Sequence, residues 1–207
     1  MNAASGDTIV SSRDRTLNLL IVGVGGQGVI TLSGLVVHAA VRAGLDVKQS
    51  EIHGMAQRGG SVSSHVRIGR KVHSPVIDEG MADLVVALEK LEALRYLSFL
   101  SPGGLLIADD RAIPPLPVSC GAMEYPPDVL EQCRARTGRV EVYSGDALSQ
   151  QTGSARMLNT CFAGILSRHL PFEESAWREA IAECFAARHV EANLRAFAIG
   201  RSAKPLE

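Results

Sequence analysis

The chain lacks most of the signatures by which a protein of its size reveals its chemistry. Its four cysteines, Cys120, Cys133, Cys161 and Cys184, are scattered, with no C-x-x-C among them. Zinc sites and iron–sulfur clusters draw on closely spaced cysteines, so the pattern points to no metal centre on this chain. Cys161 and Cys184 fall in helical patterns and read as small buried apolar residues. No apolar run approaches the roughly 20 residues that span a bilayer. An excess of one charge is also missing: 21 Lys and Arg stand against 22 Asp and Glu. Nothing therefore argues for nucleic acid or an acidic membrane surface as partner. Residues 1–16 are small and polar, without the apolar stretch of a secretory signal, and read as a disordered lead-in to a cytoplasmic protein. Three motifs are absent as well: the G-K-[ST] phosphate loop, the G-x-S-x-G nucleophile elbow, and the G-D-G with a later asparagine usual in thiamine diphosphate sites.

What is present centres on LNLLIVGVGGQGV, residues 17–29. Leu17, Leu19, Leu20, Ile21 and Val22 form a run suited to a strand buried on both faces. Gly23, Gly25 and Gly28 match G-x-G-x-x-G, and Val29–Ala43, free of proline, reads as a helix. Strand, glycine turn and helix open a Rossmann-like βαβ unit. Glycines let the backbone approach a ligand, and free N–H groups at the helix start attract an anion. The same glycines equally serve a tight turn that packs helix on strand with no ligand.

Strands and helices then alternate. Leu45–Ser50, Ala82–Leu88, Leu105–Asp109 and Val140–Tyr143 read as strands. Lys90–Leu100, with Leu91, Leu94, Leu97 and Leu100 on one face, and Asp128–Thr137 read as helices. Ile113–Pro117 is a proline-rich connection leading to Val118–Glu124. From Ser154 the pattern is helical: Arg156–Leu170, Glu173–Ala187 and Val190–Ile199, with Trp177 and Phe197 read as core. Together these imply an α/β fold with a mostly parallel sheet, flanking helices and a helical C-terminal segment. With 207 residues, 46% of them apolar, the chain suits one domain over residues 17–200, followed by a short tail at 201–207.

The segment EIHGMAQRGGSVSSHVR, residues 51–67, is the least ordinary. Its polar density suits no core element. Val62, Ser64 and Val66 alternate with Ser63, His65 and Arg67, which suggests a strand with one polar face. Ile68–Val72 resembles a hairpin turn, and His65 and His73 read as satisfied polar residues. Glu51, roughly 20 positions beyond the glycines, nearly completes a dinucleotide fingerprint. A free-standing Rossmann-type binder of NAD, FAD or another nucleotide is thus one reading.

A second reading comes from a resemblance. GVGGQGV at 23–29, the 51–67 block, SPVIDEGMADLVVALEKLEALRYL at 74–97 and EANLRAFAIG at 191–200 together resemble the gamma-type subunit or domain of the 2-oxoacid:ferredoxin oxidoreductases. HGMAQRGGSV places the likeness in the indolepyruvate branch, with its small (beta) subunit. The resemblance implies a non-redox subunit, inactive alone, of an enzyme that oxidatively decarboxylates aryl 2-oxoacids to acyl-CoA and reduces ferredoxin. Thiamine diphosphate and iron–sulfur clusters would belong to the large (alpha) partner subunit, with no cofactor on this chain. Coenzyme A would be the co-substrate that this chain helps to hold.

Candidate contacts follow from chemistry. Gly25, Gly26, Gln27 and Gly28 can present N–H donors to a phosphate. Arg58 offers the fixed guanidinium fork that phosphate or carboxylate favours. His53, Ser61 and Arg67 can add hydrogen bonds, with Glu51 and Gln57 beside them. Alternatively, Glu51 and Arg58 pair with each other or with the large subunit and only shape the loop. A subunit that completes a larger enzyme should also leave apolar surface exposed, here expected at the margin of the 51–67 segment and on the C-terminal helices.

Overall fold

All eight residues of the first strand, β1 (Leu17–Val24), are buried, as their unbroken apolar run requires of a strand inside a sheet. The computed structural model describes residues 15–54 and 59–207. After β1 come α1 (Val29–Arg42), β2 (Asp46–His53), β3 (Ser61–Gly69) and β4 (Ala82–Ala87). Next are α2 (Lys90–Arg95), β5 (Leu100–Asp109), α3 (Leu116–Ser119), α4 (Val129–Arg136) and β6 (Val140–Tyr143). The chain finishes with α5 (Gly145–Thr152), α6 (Leu158–Leu166), α7 (Glu174–Cys184) and α8 (Ala187–Ser202). The six strands form one sheet in the order β2-β3-β1-β4-β5-β6. β1, β4, β5 and β6 run parallel, and β3 pairs antiparallel with both β1 and β2. The α/β architecture with a mostly parallel sheet and C-terminal helices matches the reading of the sequence.

Each face of the sheet is covered. One core joins β1, β3 and β4 to α1, α6, α7 and α8 through Leu32, Leu35, Phe162, Trp177, Ile181 and Phe197. The other joins Leu20, Val22, Val85 and Leu106 to Ala93 of α2 and Cys133 of α4. α6 and α8 cross in close contact: a Cβ on Gly164 would stand 2.1 Å from the Phe197 carbonyl oxygen, and one on Gly200 would stand 1.9 Å from that of Cys161. Trp177 and Phe197 are core residues, as read from the sequence. At the far edge of the sheet the tail closes on β6, where the Leu206 N–H donates to the Val142 carbonyl at 2.7 Å. Among the described residues no helix is long and apolar enough to cross a membrane. Residues 1–14 lie outside the described ones, while Arg15 forms an ion pair with the buried Asp83.

Several sequence expectations need correction. Ile68–Val72 is no hairpin turn: the consecutive antiparallel strands are β2 and β3, and the chain beyond Gly69 passes on to β4, which pairs parallel with β1. The alternation read for β3 holds, with Val62 and Val66 in one core and Ser63, His65 and Arg67 on a polar face, of which Ser63 and His65 are buried. His65 is buried there, its Nδ1 accepting the Ile77 N–H at 3.2 Å and its ring edge-on to Phe99. The helix read over Lys90–Leu100 stops at Arg95; a 3-10 turn at Leu97–Phe99 follows, and Leu100 pairs with Ala82 in the sheet. Pro102-Gly103-Gly104 is thereby part of β5, where Gly104 comes close to the Ala82 carbonyl. α5 was not foreseen. Cys161 is buried as expected, but Cys184 is exposed, because it ends α7 beyond the core-facing Trp177 and Ile181.

Candidate functional site

The glycine turn is held rigidly by its own chain. Gly26 and Gly28 have φ of +103° and +87°, a left-handed geometry that strains other residues. Gln27 clamps the turn: its Oε1 accepts the Val24 N–H at 2.7 Å, and its Nε2 donates to the Leu88 carbonyl at the end of β4. A Cβ on Gly23 would collide with the Gln27 carboxamide at 2.9 Å. Gly28 is the N-cap of α1, with no side-chain cap.

The second glycine pair meets the first. The Gly25 N–H donates to the Gly60 carbonyl at 2.8 Å, and the Gly59 N–H reaches the Gly25 carbonyl at 3.5 Å. These bonds extend the β1–β3 ladder, in which Val24 faces Ser61. β2 runs in the direction of β1, antiparallel to the strand between them, so His53 ends at the same edge of the sheet. The two unusual segments therefore border one crevice. Its volume is about 400 Å³. Gly25, Gly26 and Gly28 form one wall; Val24, Val29, Ile30, Val62 and His53 supply the rest.

The sequence-derived candidates are distributed unevenly around this crevice. Gly25, Gly26, Gly28 and His53 line it. The N–H of Gly25 is already used, as is that of Gln27, which donates to the Val24 carbonyl at 3.0 Å. Gln27 serves the turn through its side chain. Glu51 is exposed on the edge strand and accepts from Gln49 Nε2 at 3.0 Å. Ser61 points to the opposite face of the sheet, donating to Glu92 with Tyr96 Oη at 3.3 Å. Arg67 lies at the other end of β3, bonded to Asn18 Oδ1 at 2.8 Å and the Ser74 carbonyl at 3.1 Å. Gln57 and Arg58 lie outside the described residues.

Sequence reasoning missed the buried carboxylates at the ends of β4 and β5 and on α2. Glu89 follows β4 and caps α2, accepting the Glu92 N–H at 2.9 Å; it also accepts the Ile113 N–H at 3.0 Å and the Tyr125 hydroxyl at 2.6 Å. An acidic residue between a strand and a helix was the available signal. Asp109, at the end of β5, accepts the Gly145 N–H at 2.9 Å and pairs with Arg111 at 2.7 Å. Burial still pushes its carboxyl up to about 6. Burial likewise raises Glu92 above the ordinary carboxylate range, against the opposing hydrogen bond from Ser61. Ile30 and Ile52, 52% and 54% exposed, leave apolar surface around the crevice and its edge strand. On the C-terminal helices Trp177, Ile181 and Phe197 turn inward to the core.

Among the described residues no cluster of three or more His, Cys, Asp or Glu side chains is placed to hold a metal ion. With the helix N-terminus, glycine wall and apolar lining together, the crevice suits a ligand with an anionic group and an aliphatic part.

Comparison with known proteins identifies the family and the fold. The chain is 43% identical to the indolepyruvate oxidoreductase subunit IorB of Archaeoglobus fulgidus, covering 89% of this chain and 93% of that protein. The pyruvate oxidoreductase subunit PORC of Thermotoga maritima has the same fold, with a TM-score of 0.68 at 22% identity, over 90% of this chain and 96% of that one. The fold also recurs in 2-oxoglutarate:ferredoxin oxidoreductase from Magnetococcus marinus, solved with 2-oxoglutarate, coenzyme A and succinyl-CoA bound. There the TM-score is 0.68 at 19% identity, over 94% of this chain and 34% of that larger one. Residues 18–203 match the pyruvate ferredoxin/flavodoxin oxidoreductase family, and the chain belongs to that family.

Proposed function

We propose that this chain is the small subunit of a cytoplasmic indolepyruvate-type oxidoreductase, and that its glycine crevice holds part of coenzyme A. In this reading an aryl 2-oxoacid loses carbon dioxide, two electrons pass to ferredoxin, and the coenzyme A thiol takes the acyl group. Thiamine diphosphate and the iron–sulfur clusters belong to the large subunit, and this chain alone turns nothing over. The name of the Archaeoglobus relative supports the substrate class, and the ligands of the Magnetococcus enzyme support the co-substrate.

The observation that carries the ligand assignment is the composition of the crevice. The first-turn N–H groups of Val29, Ile30 and Thr31 have no acceptor within the helix by helix geometry, and no side chain caps them at Gly28. They favour a phosphate oxygen. Val24, Val29, Ile30 and Val62 favour an aliphatic arm beside it.

Two features weigh against a free-standing dinucleotide binder. β3 separates β2 from β1, so Glu51 does not stand on the neighbouring strand, where a ribose-binding acid belongs. The N–H groups of Gly25 and Gln27 are also spent within the chain.

Ile30→Glu tests the assignment. A carboxylate in the first turn of α1 suits the helix itself but repels a phosphate there. In the two-subunit enzyme the KM for coenzyme A should rise about tenfold, in keeping with the loss of one charge-assisted contact, and the KM for the oxoacid should hold. An unchanged coenzyme A KM would contradict the reading.

A further inference from the structure

Glu92 is an unusual residue to find 4% exposed on a short helix. A buried carboxylate is expensive to desolvate unless its partners are well placed. Its hydrogen-bond partner is the Ser61 hydroxyl, with Arg95 Nη1 at 3.3 Å. Ser61 directly follows Gly60, whose carbonyl accepts the Gly25 N–H at 2.8 Å. It also stands opposite Val24 in the β1–β3 register. Alternation along β3 sends Val62 into the crevice and Ser61 to the opposite face. Glu92 therefore touches neither the crevice nor anything bound in it, yet it holds the residue next to the crevice's glycine seam.

The helix that presents Glu92 is itself fixed. The buried Glu89 caps it at the Glu92 N–H, and the same carboxylate binds the Ile113 N–H and the Tyr125 hydroxyl. A continuous chain of bonds thus runs from Tyr125 and Glu89 through α2 and Glu92 to Ser61, and on to Gly60 and the glycine turn.

We infer that Glu92 is a positioning residue that acts through Ser61 on the glycine seam and so tunes coenzyme A binding in the crevice. The inference rests on the crevice being the coenzyme A site. The test uses the assembled two-subunit enzyme with Glu92→Ala, Ser61→Ala, the double variant and Glu92→Gln. Glu92→Ala and Ser61→Ala should each raise the coenzyme A KM several-fold to about tenfold, the scale of one hydrogen bond to a charged group, with kcat and the oxoacid KM held within about twofold. The double variant should be no worse than either single one, because both remove one contact. Glu92→Gln keeps an oxygen acceptor for Ser61 and should restore the wild-type KM.

Amide hydrogen exchange in the same complex supplies a readout independent of coenzyme A. Gly25 and Gly59 amides, which make the seam's hydrogen bonds, should exchange faster in both alanine variants and recover in Glu92→Gln. Unchanged exchange, or a lowered melting temperature with exchange at the seam and coenzyme A KM both unmoved, would overturn the inference. Altered exchange in the alanine variants, together with a wild-type rate that ignores coenzyme A, would keep the positioning role and refute the ligand assignment instead.

Discussion

His65 and Asp109 show how burial writes a pH dependence into single residues. His65 is buried beside Phe99 and accepts the Ile77 N–H, so desolvation lowers its pKa from the ordinary 6.5. The unfolded chain then binds the proton more readily, and the stability His65 contributes is lost as pH falls through about 6.5. Asp109 has the opposite sign. Its pKa is raised from 3.8 to about 6, so its contribution is fully present below 3.8 and is lost as pH rises through about 6. Urea midpoints measured from pH 4 to 8 should therefore shift in opposite senses on His65→Asn and Asp109→Asn. The first should remove the loss of stability below pH 6.5, the second the loss between pH 4 and 6. Parallel profiles for wild type and His65→Asn would contradict the burial argument. Arg58 is a separate case, argued from sequence alone. Arg58→Ala should weaken coenzyme A or oxoacid use about tenfold or more while assembly persists, and Arg58→Lys should recover only part of the loss because it lacks the fork. Steady-state titration of each substrate checks this, and unchanged constants for both would refute it.

Among the elements, the α6–α8 crossing is the most exacting. Gly164 and Gly200 let two backbones approach so closely that a methyl group at either site meets a carbonyl oxygen. Gly164→Ala and Gly200→Ala should each destabilise by about 1–3 kcal/mol or more, because backbone cannot step aside as a side-chain tip can. Gly34, inside α1 with nothing within 4 Å of its added Cβ, is the control. Gly34→Ala should stabilise by about 0.5–1 kcal/mol through helix propensity. Chemical denaturation of the three variants separates these outcomes, and equal effects at Gly164 and Gly34 would contradict the packing.

Local signals explain which elements were legible in the sequence. β1, α1, β4 and β6 have apolar runs or clean punctuation, and their positions could be read directly. α5 could not, since GDALSQQT has a weak apolar face and is fixed by Ser144 and Gly153 at its ends. The β2–β3 pairing was hidden because its connection is long and polar, while the nearer Ile68–Val72 stretch imitates a turn. The crevice was half legible. The glycines, singled out by their spacing, and His53, singled out by its chemistry, line the crevice, but alternation cannot say which face of a strand meets which helix, and Ser61 turns instead to Glu92. Arg67 was grouped with residues at the opposite end of its strand for a related reason: closeness in sequence along an extended chain is distance in space.

At the scale of the whole molecule, apolar surface around the crevice is what the proposed role inside a larger enzyme requires. The isolated chain should be colourless, contain no iron or thiamine, and oxidise no oxoacid; absorbance and metal analysis check this, and a stoichiometric iron–sulfur cluster after reconstitution would overturn it. The most direct measurement is reconstitution with the proposed large subunit, following ferredoxin reduction by indolepyruvate as coenzyme A is titrated. The proposed function predicts turnover only when both chains are present, a rate that saturates with coenzyme A, and a coenzyme A KM that rises with Ile30→Glu. Full coenzyme A-dependent turnover by the large subunit alone, or NAD-dependent turnover by this chain alone, would contradict it.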